Sequence, residues 1–178
     1  MDSAYAGDII GIYNHGQLHI GDTLTEGEKL GFTGIPYFAP ELFRSARARD
    51  PLKGKQLHQG LKELGEEGAI QVFEGEFGNL MLGAVGQLQF EIVAQRLATE
   101  YKVDAIYEPT DVSTARWLVF LDDVTKKNFM NEQSNRLARD CEGNICYMAT
   151  SIYNLQTTMK HWPDVKFLTT REQGQKFE

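Results

Sequence analysis

The chain has 178 residues, of which 42% are hydrophobic and 24% are charged, as is usual for a soluble globular protein. It contains no run of about eighteen apolar residues, the length needed to span a bilayer, so the sequence predicts no membrane partner. The net charge of −7 disfavours DNA as a partner, because binding through phosphate neutralisation requires an excess of cations. These totals leave room for one or two domains and for a local basic patch.

The two cysteines, Cys141 and Cys146, are too few for a tetrahedral metal site, which needs about four ligands. The first residues lack the basic and apolar regions of a secretory signal, so we expect a cytoplasmic protein with reduced thiols. Met1 leads directly into a strand-like run, which suggests a chain cut from a longer protein.

The first 35 residues have the pattern of short strands. The apolar run at 8–13 is followed by the turn residues Asn14-His15-Gly16, and Leu18 and Ile20 continue an extended pattern. Two strands are not stable alone in water, so they must pack on further strands. We therefore predict that residues 1–35 form the tail of a β-barrel domain.

Pro36 and Pro40 mark a boundary, because a proline favours an extended conformation in the residue before it. The elements that follow are a strand, a helix, two strands, a helix and a strand. Their predicted ranges are 42–49, 50–68, 69–74, 79–85, 90–101 and 103–107. This order is typical of a ferredoxin-like split βαβ unit, which would occupy about residues 40–108.

A further module continues the pattern over about residues 112–171. Its predicted elements are a strand, a polar helix, a strand, a helix and a strand, at about 112–121, 123–139, 145–150, 151–162 and 165–170. The predicted fold class is therefore α+β. In it, a ferredoxin-like unit is extended by a β-α-β-α-β module within a carboxy-terminal domain of residues 36–178.

The sequence carries no recognisable active site. A phosphate-binding loop needs Gly-x-x-x-x-Gly-Lys-Ser/Thr, and Gly54-Lys55 lacks both the first glycine and the hydroxyl residue. Asp8-Ile9-Ile10-Gly11 matches the Asp-x-x-Gly of GTPases, but no phosphate loop precedes it. Gly83-Ala84-Val85-Gly86 matches the Gly-x-x-Gly of an RNA-binding KH domain, yet it links a strand to a helix and is interpreted as close packing. We predict no catalytic, cofactor-binding or metal-binding residue.

One stretch of the acidic chain is basic. Between residues 44 and 55 the sequence carries five cations against Asp50 alone, a local balance of +4. These candidate RNA-contacting residues are Arg44, Arg47, Arg49, Lys53 and Lys55. They form either a solvated strand edge and helix start, or a surface for the phosphates of structured RNA, which arginine forks and lysine charges recognise.

Several segments, spread over essentially the whole chain, resemble the release factor 3 family of bacterial translational GTPases. They are AYAGDIIG at 4–11, FTGIPYFAPELFR at 32–44, GAVGQLQF at 83–90, TARW at 114–117 and YMATS at 147–151. The first and third resemble translational GTPases broadly, including elongation factor G. The Phe-Ala-Pro-Glu and Ala-Arg-Trp segments resemble release factor 3 more narrowly.

The resemblance implies an upstream GTP-binding domain, then a barrel domain that ends near Thr33, then this α/β domain. GTP would be the cofactor of the full-length parent, a GTPase, whereas this fragment would bind none and would not be an enzyme. The implied partners are small-subunit RNA and protein of the ribosome, the parent's own GTP-binding domain and, indirectly, the codon-reading release factors. This part would dock on the ribosome and transmit the nucleotide state by reorientation about its linker prolines.

Two alternatives stay open at this stage. The chain fits the corresponding domain of an elongation factor G-like GTPase. It also fits a ferredoxin-like regulatory domain that senses a small molecule in a pocket at a subunit interface. The interpretation as part of a release factor predicts that this chain alone binds no GTP.

Overall fold

A computed structural model describes residues 3–13, 18, 22–30, 36–76, 78–172 and 177. Before Pro36, the described residues form irregular segments and a turn in which the Tyr5 amide donates to Asp8 Oδ2 (2.8 Å). The strand predicted at 8–13 is not formed, because no strand lies beside it among the described residues to complete its hydrogen bonds. The turn predicted at 14–16 lies outside the described residues, and the barrel assignment of residues 1–35 stays a prediction.

From Pro36 onwards, the described part of the chain forms ten strands and four α-helices. The strands are β1 (Pro36–Phe38), β2 (Leu42–Ala48), β3 (Gln71–Gly75), β4 (Leu80–Ala84), β5 (Ala105–Pro109), β6 (Thr114–Phe120), β7 (Leu137–Arg139), β8 (Ile145–Ala149), β9 (Val165–Leu168) and β10 (Thr170–Glu172). The helices are α1 (Gly54–Glu66), α2 (Gln87–Glu100), α3 (Asp123–Glu132) and α4 (Ile152–His161). Short 3-10 turns at Pro51–Lys53 and Ser134–Arg136 precede α1 and β7.

Eight of the strands form one antiparallel sheet in the order β5-β2-β4-β3-β7-β8-β6-β9. Strands β2 to β5, with α1 and α2, form the predicted ferredoxin-like unit, so this unit and the α+β class are confirmed. Strands β6 to β9, with α3 and α4, repeat the same strand order when counted from the other edge of the sheet. The two units join where β3 pairs with β7, with Glu74 opposite Arg139 and Gly75 opposite Ala138.

After residue 112 the structure has two strands that the sequence does not predict, β7 within the large sheet and β10 outside it. The helix expected to run to about residue 139 ends at Glu132, and β7 follows after a 3-10 turn. The polar run between them reads as a continuation of the polar helix, and a three-residue strand is too short to show alternation. β7 exists because β3 and β8 pair with it on its two sides.

The sheet carries helices on its outer face and a shared aromatic layer on its inner face. In the first unit, α1 and α2 cover the sheet around the fully buried Leu61. In the second unit, Phe129 packs edge to face on Trp162, with ring centroids 5.1 Å apart. The inner faces of both units pack together around Phe73 and Trp117, so the sheet curls around one common core.

A separate two-stranded sheet pairs β1 with β10 and places Tyr37 opposite Arg171. Arg171 is only 5% exposed, and its guanidinium stacks on Tyr37 (4.6 Å to the ring centroid) and on Trp117 (5.6 Å). Its Nε lies 3.0 Å from Asp140 Oδ2, and its Nη2 contacts the Glu142 carboxylate. This buried network ties the segment after residue 35 to the end of the chain and to the common core.

Pro40 packs directly on Gly83 of β4. A Cβ at Gly83 would lie 2.3 Å from Pro40 Cγ and 2.9 Å from Phe73 Cε2, so this position has room for glycine alone. Gly86 has no such contact and precedes the first residue of α2, where Gln89 Oε1 accepts a hydrogen bond from its amide (3.3 Å). The Gly-x-x-Gly sequence therefore leads from a strand into a helix, as predicted. The close packing expected between strand and helix is instead between Gly83 and the side chains of Pro40 and Phe73.

Replacing Arg171 with methionine is expected to lower the free energy of unfolding by about 3 kcal/mol, because the Asp140 and Glu142 carboxylates lose their cation. Arg47→Met is the matched control. Its ion pair with Glu108 (2.7 Å) has about half of each side chain exposed, so its loss costs about 0.5 kcal/mol. Urea unfolding followed by tryptophan fluorescence measures both changes. Equal losses would mean that the buried network stabilises the protein no more than the exposed ion pair does.

Gly83→Ala is expected to lower the free energy of unfolding by about 1–3 kcal/mol, because the methyl group overlaps Pro40 and Phe73. Gly86→Ala adds the same methyl group in open space on an extended backbone, and we expect a loss of at most about 1 kcal/mol. The same urea titration compares them. A larger loss for Gly86→Ala would contradict the packing role assigned to Gly83.

Candidate functional site

The five cations predicted as candidate contacts do not share one surface. Arg44 is half-buried on the helix-covered face of β2, where it donates to the Phe43 carbonyl (3.0 Å) with its guanidinium 5.9 Å from the Phe90 ring centroid. Arg47 lies three residues further along the strand and so projects from the opposite face. Its Nε donates to Glu108 Oε1 of β5 (2.7 Å). Both guanidinium groups are therefore already engaged within the fold.

The other three cations gather beside the loop that follows α2. The Arg49 amide donates to the Asp104 carbonyl (2.9 Å), and Lys53 Nζ donates to the Lys102 carbonyl (2.7 Å). Lys55 lies in the first turn of α1, two residues after Lys53. We name Arg49, Lys53, Lys55 and Lys102 the basic rim. Of these, Arg49, Lys55 and Lys102 are exposed, and Lys53 is partly buried.

The sequence explains most of the local structure at the basic rim. The Asp50 side chain accepts a hydrogen bond from the Leu52 amide (3.0 Å), and Pro51 fits the first position of the 3-10 turn. Lys102 adopts a left-handed conformation (φ 57°) just after α2, and its carbonyl accepts the bond from Lys53. Sequence reasoning missed Lys102, because a single lysine after a helix gives no signal until the fold brings residue 53 beside it.

The electrostatics of the basic rim suit phosphate groups. In residues 36–76 and 78–172, the charged ends of Arg49 and Lys55 have no ion-pair partner, and the nearby Asp50 is occupied as a cap. Tyr101, which precedes Lys102 in the sequence, donates its hydroxyl to Glu63 Oε2 (2.6 Å). This bond lowers the pKa of Glu63, and burial together with the bond raises the pKa of Tyr101. The rim can therefore bind backbone phosphates, but it offers no free ring on which a base could stack.

Two open clefts of about 410 and 400 Å³ lie where the two units meet. Both are lined by Gly75, Glu76, Ser134 and Leu137. In the second cleft, Arg136 Nη1 donates to Asp111 Oδ2 (2.8 Å), and this bond lowers the pKa of Asp111. The charges of these two residues are thus already matched. The clefts are the spaces in which a small-molecule sensor would hold its ligand.

The thiols and the remaining titratable groups suggest no reactive centre. Burial raises the pKa of Cys141 to about 12 and raises the pKa of Cys146 well above its usual value, so both stay protonated at neutral pH. Among the residues that the structure describes, no three His, Cys, Asp or Glu side chains come together as metal ligands. No helix in the same part of the chain has the length and apolar character needed to cross a membrane.

Comparison with known proteins identifies a family and a similar relative. Residues 32–159 match the family described as Class II release factor RF3, C-terminal domain. The chain is also similar to peptide chain release factor 3 of Aromatoleum aromaticum, with 69% identity over 176 residues. That match covers 99% of this chain but 32% of the relative, so the chain spans about a third of the relative's length, at its carboxy-terminal end. The chain therefore belongs to the class II release factor 3 family and comprises that family's C-terminal domain.

Proposed function

We propose that this chain is the ribosome-docking and coupling part of a translation-termination GTPase, whose full-length form promotes GTP-dependent release of codon-reading release factors from the ribosome. The observation that carries the proposal is the 69% identity to a peptide chain release factor 3 over 99% of the chain. In this proposal GTP is bound by a domain outside this chain, and the chain itself has no catalytic role. The protein acts in the cytoplasm.

The basic rim supports docking on small-subunit RNA. Its cations stand on an exposed edge of a chain whose total charge is −7, so RNA is repelled by most of the surface and attracted at the rim. Folded ribosomal RNA presents backbone phosphates in fixed positions, which suits side chains that a strand end and a helix start hold in place. Arg44 and Arg47 are not part of this proposed contact, because contacts within the fold already engage them.

Coupling requires the domain to move as one body when the nucleotide state changes. The shared inner core and the buried Arg171 network support this, because they connect both units and the linker. Pro36 and Pro40 themselves are held, one at the start of β1 and the other against Gly83. We therefore propose that the pivot lies before Pro36 and not at these prolines.

The two alternatives have less support. The family match is to class II release factors, which favours that function over the corresponding domain of an elongation factor G. A small-molecule sensor has candidate clefts at the junction of the units, but their one charged pair, Arg136 with Asp111, is already internally matched.

Charge reversal at the basic rim is expected to weaken ribosome binding. In a full-length polypeptide that carries this chain, Arg49→Glu combined with Lys55→Glu should lower the affinity for small ribosomal subunits by on the order of ten-fold, and flatten its salt dependence. Lys127→Glu combined with Lys160→Glu is the matched control, because it changes the total charge equally on the exposed surface of the second unit. Its effect should be much smaller.

Binding is measured by co-sedimentation at several salt concentrations. If the rim variant binds as tightly as the unchanged protein, the rim is not the contact. If both lose affinity to the same degree, net charge and not the rim controls binding. Either result leaves the family assignment intact, because that rests on sequence identity.

The chain by itself is expected to bind no GTP, because it lacks the Gly-Lys-Ser/Thr loop whose amides and ammonium surround the phosphates. Equilibrium titration with a fluorescent GTP analogue tests this, with a full-length release factor 3 as the positive control. Saturable binding to the 178-residue chain would contradict the proposal that GTP is bound by a domain outside it.

A further inference from the structure

Arg116 of β6 is a half-buried cation outside the basic rim, and it belongs to the Ala-Arg-Trp segment at 115–117. We propose that Arg116 is a second RNA contact, which binds a backbone phosphate of the small ribosomal subunit through one edge of its guanidinium. The proposal rests on the proposed ribosome docking. It adds a contact in the second unit, where the basic rim has no residue.

The fold holds Arg116 at the margin of the second helical core. Arg116 and Leu118 are two residues apart in β6, so both project from the same face of the sheet. On that face Leu118 shares a buried cluster with Leu155 of α4. Opposite Arg116 in the neighbouring strand is Tyr147, whose hydroxyl lies 2.9 Å from Thr158 Oγ1 of α4. Arg116 is therefore on the face that α4 covers, and it is still partly open to solvent.

The hydrogen bonds of Arg116 use one nitrogen of its guanidinium. Nη1 donates to Thr114 Oγ1 and to the Ala115 carbonyl, both at 2.6 Å. A guanidinium has five N–H groups, so the three on Nε and Nη2 have no acceptor among the described residues. Nε and Nη2 form the edge that can donate to two oxygen atoms of one anion. The two bonds from Nη1 hold the guanidinium in place and leave this edge free.

The same edge binds carboxylates in two other arginines of this protein. Nε and Nη2 of Arg96 donate to the two carboxylate oxygens of Glu100 (2.7 and 2.8 Å). In Arg171 the same two nitrogens contact two carboxylates. The edge of Arg116 has the same donors, but no described carboxylate lies within ion-pair distance of it.

Among the described residues, every other arginine that is buried or half-buried has a partner for its charge. Three of them hold a carboxylate at 2.7–3.0 Å, namely Arg96, Arg136 and Arg171. Arg44 instead lies 5.9 Å from the Phe90 ring centroid. Arg116 has neither kind of partner, and burial lowers its pKa with no carboxylate to oppose the effect. Because a desolvated charge without a partner is costly, we expect an anion from outside the described residues to pair with it.

The surroundings of Arg116 favour a phosphate of RNA. The helix α4 contains no aspartate or glutamate, in a chain that has 25 acidic residues, so it does not repel an approaching anion. Two oxygens of a phosphate match the Nε and Nη2 edge, and folded ribosomal RNA presents its phosphates in fixed positions. A carboxylate of a ribosomal protein would fit the same edge, but it would not release the counterions that a phosphate releases.

Substitutions at Arg116 test the proposal in a full-length polypeptide that carries this chain. Arg116→Met should lower the affinity for small ribosomal subunits by about five- to ten-fold, and reduce the slope of log affinity against log salt concentration by about one. Arg116→Lys keeps the charge without the fork, so it should lower the affinity but keep most of the slope. Arg44→Met is the matched control, because it removes the same charge from the third residue of β2, as Arg116→Met does in β6. It should change neither quantity.

Co-sedimentation at several salt concentrations measures both quantities, and urea unfolding separates a binding role from a structural one. Arg116→Met should shift the urea midpoint much less than Arg171→Met, since no carboxylate loses its cation. An equal shift, an unchanged affinity, or an equal loss for Arg44→Met would overturn the proposal. Affinity lost without a change of slope would also overturn it, because the partner would then be a carboxylate.

Failure of this inference and failure of the proposed docking give different results. If the unchanged polypeptide does not bind small subunits, both are wrong. If it binds them and the Arg116 variants bind equally well, docking stands and only the Arg116 contact is wrong.

Discussion

A four-stranded sheet with helices on one side leaves its other side apolar and open to water. Each ferredoxin-like unit of this protein has such an uncovered apolar face, and neither unit can bury it alone. The chain resolves it by joining the edge strands β3 and β7, so that the two uncovered faces curl together around Phe73 and Trp117. The helices then lie outside, and the helix starts, sheet ends and loops are also open to partners. The position of the basic rim, at one such sheet end, follows from this arrangement.

The common core is closed by a charge rather than by a hydrophobic residue. Arg171 brings a guanidinium into contact with two aromatic faces and two carboxylates, and it comes from the last described strand. A buried cation with matched partners accepts only one geometry, because any displacement leaves a charge without compensation. This favours a fixed path for the linker, where a purely apolar contact would permit sliding. The coupling role that we propose would benefit from such a fixed attachment.

The sequence predicted the class, the first unit and most element boundaries, because leucines at helical spacing and prolines at boundaries are local signals. It missed β7, which is three residues long and exists only between its neighbours, and it missed β10 because the pairing with β1 is nonlocal. At the candidate site, a run of cations was detectable, but strand alternation sends Arg44 and Arg47 to opposite faces. Lys102 joins the site only through the tertiary fold.

The pairing of β1 with β10 also has a consequence for the order in which the protein matures. Tyr37 is synthesised well before Arg171, so the two cannot meet until Arg171 has left the ribosome that makes the chain. Domains fold as they emerge, amino-terminal part first, and a preceding domain would already be compact by then. Its attachment to this body would stay loose during synthesis and tighten in a final step. Termination of synthesis just before Arg171 would therefore spare both helical cores yet leave the linker unfastened.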